Sequence, residues 1–511
     1  MDHEESADDD FQSSPLNGLG QEKSCSEGCG VVTSIHGNGQ ELRIMISRGC
    51  EQRGGYEEAI QVLLLRFGQR LNQSESVCQQ YGKDESSHPS IPPDAVIKPA
   101  STEEVIEIIK ICAHHHTPII PYGVGTSLEG HIAALEGGIC VDLSAMNQII
   151  AVHQDDLDVV VEPGVTRRQL DRHLRDTGLF FPVDPGADAT FGGMVATRAS
   201  GTNAVRYGTM RENTLGLVVV LADGRVIRTA HRARKSAAGY DLTRLFVGSE
   251  GTLGIITEIT LKLYGVPEVI SSAVCAFPSL ESAVNTAIVT IQSGIPVARI
   301  ELLDDKQLEA VNQYSGLNYE VAPTLFLEFH GSQRAVDEQI ESFQGIVKEQ
   351  GGSGFKWASS SEERSILWRA RHDAAYAAKA LKPGAAIWAT DVCVPISRLA
   401  ECIAETKRDI EESALLAPIV GHVGDGNFHL VLLADPDDPD EVGRAEKLHQ
   451  RMVMRALKME GTCTGEHGVG YGKIDFLQAE HGEGTEVMKT IKQALDPQNL
   501  MNPGKIVRVG E

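Results

Sequence analysis

Pro121-Tyr-Gly-Val-Gly-Thr-Ser127 is a short glycine loop that follows directly on the apolar run Pro118-Ile-Ile-Pro-Tyr122, which reads as a strand. Gly123 and Gly125 let backbone N–H groups approach an anion with no Cβ in the way, and Thr126 and Ser127 add hydroxyl donors. A pyrophosphate is the natural guest. The loop has neither the Gly-x-Gly-x-x-Gly spacing of an NAD-type site nor the Gly-Lys-Ser/Thr ending of a P-loop. Taken alone, it also fits an ordinary tight turn.

Two further loops extend the pattern. Asp184-Pro185-Gly-Ala-Asp-Ala-Thr-Phe-Gly-Gly193 runs into Met194-Val-Ala-Thr-Arg-Ala-Ser-Gly-Thr-Asn203, and Arg206-Tyr-Gly-Thr-Met210 follows. A string of small residues is poor core material, but it suits a flat, extended ligand lying against backbone. Gly248-Ser-Glu-Gly-Thr-Leu-Gly254 is the third loop. Three such loops suit a long dinucleotide better than a mononucleotide.

Strands and helices alternate around these loops. Residues 56–80 carry a helical period at Ile60, Leu63, Leu64, Phe67 and Leu71. A Pro- and Ser-containing linker covers 86–94, and 95–98 is a short strand. Ser101-Thr-Glu-Glu104 is a capping box opening a helix to about His114. Strands are expected at 138–143, 159–162, 215–222, 225–229 and 254–263, with a helix at 168–176. Past residue 267 the glycine loops stop. Long strands and amphipathic helices fill 268–415, which predicts a second, cap-like domain. Helices follow at 443–460 and 484–495.

The cap carries a second decisive stretch, Gly421-His-Val-Gly-Asp-Gly-Asn-Phe-His429. A two-residue hairpin turning at Asp425-Gly426 sets Gly424 opposite Asn427, Val423 opposite Phe428 and His422 opposite His429. Directly opposed residues have Cβ atoms roughly 5 Å apart, so two imidazoles there can share a metal ion. Glu466, in Gly465-Glu-His-Gly-Val-Gly470, is the third ligand candidate. His₂Glu with an open position suits a catalytic divalent metal, zinc or manganese, and His467 follows as a candidate base. Alone, the stretch also reads as a hairpin with two incidental histidines. Asp425 and Asn427 read as turn residues, with substrate contact the other reading for Asn427.

Composition bounds the function. The chain has 511 residues, 41% hydrophobic and 23% charged, and a formal charge of −25. That length predicts at least two domains. That charge argues against nucleic acid or an anionic membrane as main partner, while a basic electron carrier is compatible with it. No apolar run reaches the roughly 18–20 residues that span a bilayer. The ten cysteines are scattered, with only Cys25 and Cys29 close together, which predicts reduced thiols rather than a disulfide scaffold. Residues 1–45 are Ser-, Gly-, Asp- and Glu-rich and predict disorder. The start has no basic n-region and no Arg-rich amphipathic stretch, so it reads neither as a secretory signal nor as a transit peptide.

The loop after Pro121, the run 184–211, Gly248-Ser-Glu-Gly-Thr-Leu-Gly-Ile-Ile-Thr-Glu258 and the terminal Asn502-Pro-Gly-Lys505 resemble the vanillyl-alcohol-oxidase/PCMH superfamily of FAD flavoproteins. The two histidine-bearing stretches resemble its metal-dependent D-2-hydroxyacid dehydrogenase branch. His231-Arg-Ala-Arg-Lys-Ser-Ala-Ala-Gly-Tyr-Asp-Leu-Thr-Arg244, with His where Ser is usual, and Thr390-Asp-Val-Cys-Val-Pro395 are most similar to the FAD-dependent, cytochrome-linked D-lactate dehydrogenases. The resemblance spans about 55–507. It implies an α+β fold: a two-subdomain PCMH-type FAD-binding domain at 55–266, a cap with an antiparallel sheet at 267–460, and a segment 461–507 returning to the FAD domain.

The resemblance also implies roles. Pro121, Tyr122, Gly123, Val124, Gly125, Thr126 and Ser127 would hold the FAD pyrophosphate. Pro185, Gly192, Gly193, Thr197, Ser200, Gly201 and Tyr207 would follow the flavin. Glu250, Gly254 and Ile256 would lie near the adenosine half, and Asn502 near the isoalloxazine. Residues 121–130 contain no His or Cys, so the FAD is expected to be non-covalent, with His131 the nearest tether candidate. A metal on His422, His429 and Glu466 would orient the substrate, and His467 would take its hydroxyl proton. In Leu367-Trp-Arg-Ala-Arg-His372, Arg371 would clamp the carboxylate; both arginines also read as solvated helix positions.

Related D-2-hydroxyglutarate dehydrogenases place Lys and Asn where this chain has Ala389 and Val431, so a short substrate, D-lactate first, fits better. The implied acceptor is cytochrome c or another carrier, the implied site mitochondrial (cytoplasmic by the N-terminus), and a homodimer is compatible. The alternatives are an oxidase or glycolate dehydrogenase of the same fold, or a non-catalytic flavin- or metal-binding subunit.

Overall fold

Ala95–Ile97, Ile119–Tyr122 and Ile139–Asp142 are short, mostly buried runs rich in β-branched residues, and they form a parallel sheet with Ile139–Asp142 in the middle. In this computed structural model, which describes residues 34–37, 40–43 and 54–510, the sheet gains a fourth, antiparallel strand, Leu71–Asn72. Helix Thr102–His114 connects two of its strands. Ser101 Oγ accepts from Glu104 N, as the capping box requires, but the Glu104 carboxylate reaches Ala100 N rather than Ser101 N. Val105, Ile108, Ile109 and Cys112 recur at helical spacing and close this core against Ile97, Ile119, Ile139 and Val141.

The single helix expected over 56–80 is corrected. Helix Gly54–Phe67 stops where Gly68 takes a left-handed φ of 57°; Leu71 enters the sheet, and a separate helix runs Glu75–Tyr81. A periodic apolar pattern continued across Gly68, but the backbone did not.

A second, antiparallel sheet has five strands in the order Val226–Arg228, Thr214–Val220, Ile255–Lys262, Asp158–Val161, Ile149–His153. Helix Phe191–Thr197, built from the second glycine loop, packs Phe191, Met194 and Val195 into its core. Helix Arg167–Leu174 adds Leu170 and Leu174.

From Val269 onward the chain builds an eight-stranded antiparallel sheet. Its main order is Ser353–Ala358, Val269–Ala276, Thr324–Gly331, Val297–Leu303, Ile419–Gly421, Asn427–Ala434, Ala386–Ala389, with Val392–Cys393 also on Asn427–Ala434. Helices Leu280–Gln292, Gln333–Glu349, Leu399–Ser413 and Pro439–Lys458 contribute to one core on this sheet; helices Asp305–Ser315 and Ser361–His372 contribute to another. The chain end then returns: Ile119 N donates to Leu500 O and Asn502 N to Ile119 O, each at 2.8 Å, extending the parallel sheet.

The chain divides into two units, 1–52 and 53–511. In the first, Ser34–Gly37 pairs antiparallel with Gln40–Arg43. The rest of the stretch expected to be disordered, with Cys25 and Cys29, lies outside the described residues. Among the described residues the cysteines are unpaired, and no helix is long and apolar enough to cross a membrane.

Candidate active site

The hairpin that brings His422 and His429 together has a different register from the expected one. His429 pairs with Val420 and Leu430 with Ile419, and residues 422–426 form the loop. A two-residue type I′ turn needs positive φ at both central positions. Gly426 has it, at 82°, but Asp425 does not. The loop instead closes by Asp425 N and Asn427 N donating to His422 O at 3.0 and 3.3 Å. The two imidazoles still converge, with ring centroids 5.4 Å apart and planes at 84°.

Each ring is fixed from behind. His429 Nδ1 donates to Thr390 O at 2.9 Å, and His422 Nδ1 donates to Glu301 Oε1 at 2.7 Å. Both Nε2 atoms therefore point forward, 3.0 and 3.2 Å from the same Glu466 oxygen. Ligand atoms of His422, His429 and Glu466 all lie within 4.8 Å of one another. Two oriented Nε2 atoms, one carboxylate and second partners on Nδ1 form a donor set that could hold a divalent metal. The charges agree. Burial opposes ionisation of Glu466, but the neighbouring His422 and His429 hold its carboxyl well below the usual range. Burial likewise opposes charge on His422, yet Glu301 and Glu466 raise it well above an ordinary histidine. Positive charge on the histidines is favoured beside the Glu466 carboxylate.

His467 stacks on His429, centroids 5.0 Å apart and planes at 12°, and is not among the converging ligand atoms. Burial pushes its ring down to about 4, and its Nδ1 has no partner among the described residues. It is a neutral imidazole beside the cluster.

Glu301 and Asp391 organise this cluster; the sequence reading passed over Glu301 and quoted Asp391 only within Thr390–Pro395, with no role. Glu301 Oε2 accepts from Arg371 Nε at 2.7 Å, so one carboxylate orients a metal-ligand candidate and the candidate substrate clamp together. The other arginine of the run, Arg369, is exposed. Buried Asp391 accepts from Glu466 N and His467 N, both at 2.9 Å, and from Thr464 Oγ1 at 2.7 Å. Asn427 Nδ2 donates to Asp391 Oδ1 and Val392 O, each at 2.7 Å. Its amide nitrogen is thereby committed to the protein, favouring the turn reading. No local spacing announces Glu301; it stands 121 residues from His422.

The glycine loops also meet. A Cβ on Gly123 would lie 2.4 Å from Thr190 Oγ1 and 3.9 Å from Gly193 Cα, and one on Gly251 would meet Pro121 Cγ at 2.8 Å. Loops 121–127, 190–193 and 248–254 thus press on one another, with Gly125, Gly248 and Gly251 at positive φ. Thr197 Oγ1 donates to Gly193 O at 3.1 Å. Gly201 abuts Asp184, whose neighbour Pro185 is partly buried, and Ser200 is partly buried beside it. Tyr207 Oη lies 2.8 Å from His330 Nδ1 of the cap sheet.

Glu250, with φ 53°, directs its carboxylate to Val469 N and Gly470 N at 2.7 and 2.8 Å, and its backbone N–H donates to Ala196 O at 2.8 Å, so it ties the third glycine loop to the chain end. Ile256 buries its side chain in the five-stranded core, and Gly254 lies against Val219. Asn502 Nδ2 donates to His131 O and Glu250 O, while its buried Oδ1 has no partner among the described residues, nor has Ser249 Oγ. Crowded glycine backbone with orphaned polar atoms fits a bound dinucleotide.

Residues 93–230 match the FAD binding domain family, and 266–506 the C-terminal domain of FAD linked oxidases. A Danio rerio protein named probable mitochondrial D-lactate dehydrogenase is 58% identical over 438 residues, covering 85% of this chain and 88% of its own. The mitochondrial D-lactate dehydrogenase (cytochrome) of Arabidopsis thaliana is 50% identical over 430 residues, covering 84% and 76%. The crystal structure of p-cresol methylhydroxylase with substrate bound superposes with a TM-score of 0.76 at 19% identity, over 90% of this chain and 98% of that one, a likeness of fold. With its PCMH-type α+β architecture, the chain belongs to the FAD-linked oxidase family of oxidoreductases, in the branch of the D-lactate dehydrogenases.

Proposed function

We propose that the chain oxidises D-lactate, or a similarly short D-2-hydroxyacid, to the 2-oxoacid, and passes the electrons to cytochrome c or another carrier. The observation carrying this reading is the pair of oriented Nε2 atoms converging on Glu466 within a flavoprotein of this branch. The hydride equivalent leaving Cα would go to FAD, which the three glycine loops would hold. The FAD is held without a covalent tether: His131, the nearest candidate, is buried with its Nε2 3.3 Å from Glu250. His422, His429 and Glu466 would hold a divalent metal, zinc or manganese, which would supply Lewis-acid polarisation of the hydroxyl.

The chain's own groups do the rest. Arg371, fixed through Nε by Glu301, keeps its terminal guanidinium nitrogens for the substrate carboxylate. His467, neutral and unpartnered at Nδ1, takes the hydroxyl proton. Ala389 and Val431 are paired on neighbouring strands, two residues along from His429, and give an apolar wall with no partner for a second carboxylate. The named relatives are mitochondrial, and we assign the same compartment.

The test is a steady-state screen of D- and L-2-hydroxyacids with an artificial electron acceptor. D-lactate should give the highest kcat/KM among short acids, with L-lactate inert. A preference for L-isomers or for D-2-hydroxyglutarate would overturn the assignment.

A further inference from the structure

Behind the Glu466 loop lies a fully buried lysine that the mechanism does not use. Lys473 Nζ is 3.0 Å from Glu129 Oε1, 3.2 Å from Asp391 O and 4.0 Å from Asp391 Oδ2. Lys473 and Asp391 are 0% exposed and Glu129 is 4% exposed. Buried charges persist only when paired, and removing one partner leaves the other as a costly orphan. Asp391 needs such a partner, because one of its oxygens collects both amides of the Glu466–His467 pair and the Thr464 hydroxyl.

Glu129 comes from the other side. It stands two residues beyond Ser127, and its carbonyl accepts from Tyr471 N and Gly472 N, the residues leading into Lys473. Gly470 admits this approach with φ 51°; a Cβ there would lie 1.9 Å from Glu129 O. One ammonium therefore joins the end of the first glycine loop, the C-terminal segment and the Asp391 anchor.

We propose that Lys473 is a positioning residue of the metal centre: its ammonium balances the Asp391 carboxylate that holds Glu466 and His467, and fastens that anchor to Glu129. This inference rests on the metal reading above. Outer partners of metal ligands are worth about 10–100-fold in affinity, which sets the expected size.

The test uses the FAD-loaded full chain and Mn(II) alone, titrated while free Mn(II) is followed by electron paramagnetic resonance. Lys473→Met should raise the Mn(II) Kd by about 10–100-fold, with the flavin absorbance per chain unchanged. The double variant Glu129→Gln/Lys473→Met removes the orphaned carboxylate as well. It should regain thermal stability over Lys473→Met but keep the weakened Kd, because Asp391 is still unbalanced; if the single variant does not accumulate, the double variant carries the test. A Kd within about twofold of wild type in a folded variant would show a lysine that only stabilises the fold, and would overturn the inference while leaving the metal reading intact. Recovery of affinity together with stability in the double variant would do the same. A wild-type protein that binds neither Mn(II) nor Zn(II) would overturn both readings.

Discussion

Glu301 and His422 are 121 residues apart in sequence, and Glu301 Oε1 accepts from His422 Nδ1 at 2.7 Å. The same carboxylate receives Arg371 Nε. Glu301→Gln keeps an acceptor for the ring but removes the charge that both partners face. Metal affinity should fall about 10–100-fold, the usual worth of such a partner. KM for D-lactate should rise with it, since Arg371 is no longer fixed. Metal titration and steady-state kinetics check this; an unchanged Kd and KM would remove Glu301 from the account.

His467→Ala should lower kcat by about 10²–10⁴-fold, the range for positioned proton transfer. The metal should stay, because the His467 ring stacks on His429 and lies outside the ligand cluster. Rapid-mixing measurement of flavin reduction against pH, with metal content determined on the same samples, separates base from ligand. A rate recovering at high pH with metal retained supports the base. Metal lost in step with activity transfers His467 to the ligand set.

Ala389→Lys with Val431→Asn should move preference from D-lactate toward D-2-hydroxyglutarate. The two positions are paired across neighbouring strands, and Val431 lies on the same strand face as His429 by the two-residue alternation. A polar pair there rejects a methyl group and meets a second carboxylate. An unchanged ratio of kcat/KM for the two acids would show that this wall does not line the pocket.

Much of this was readable before folding because it was local. The glycine loops, the N-cap at Ser101 and the strand at Ile119–Tyr122 are set by neighbours in sequence, although the Glu104 carboxylate turns to Ala100 N and leaves the expected capping box half formed. The union of His422, His429 and Glu466 was also legible, although the hairpin register was not: Asp425 keeps an ordinary negative φ, so the turn spreads over five residues and His429 moves opposite Val420. Glu301, Asp391 and Lys473 were invisible as partners. Each meets its contacts across long stretches of chain, and a lone acid or lysine in a strand, loop or helix start has no signature. Glu250 shows the converse, since its loop was legible while its carboxylate turned to Val469 and Gly470.

Stability should fall in mild acid through His449. Its ring is buried between Trp388 and Phe476, with centroids 5.3 and 5.4 Å away, and burial lowers it to about 4. The unfolded ring titrates near 6.5, so below that pH the unfolded state binds the extra proton and folding loses free energy until the folded ring also protonates near 4. The loss between pH 7.5 and pH 5 is on the order of 2 kcal/mol. Urea unfolding of wild type and His449→Leu at both pH values should show a smaller acid-induced drop in the variant. Equal drops would place the acid sensitivity elsewhere.

The central claim is that catalysis depends on a divalent metal held by His422, His429 and Glu466 in a protein whose FAD sits separately. The most direct test is elemental analysis of the purified protein before and after chelation, with activity and flavin absorbance followed in parallel. The account predicts one zinc or manganese per chain, activity lost in proportion to metal removed and restored on its return, and flavin that stays bound throughout. Full D-lactate oxidation by protein stripped of metal would contradict it.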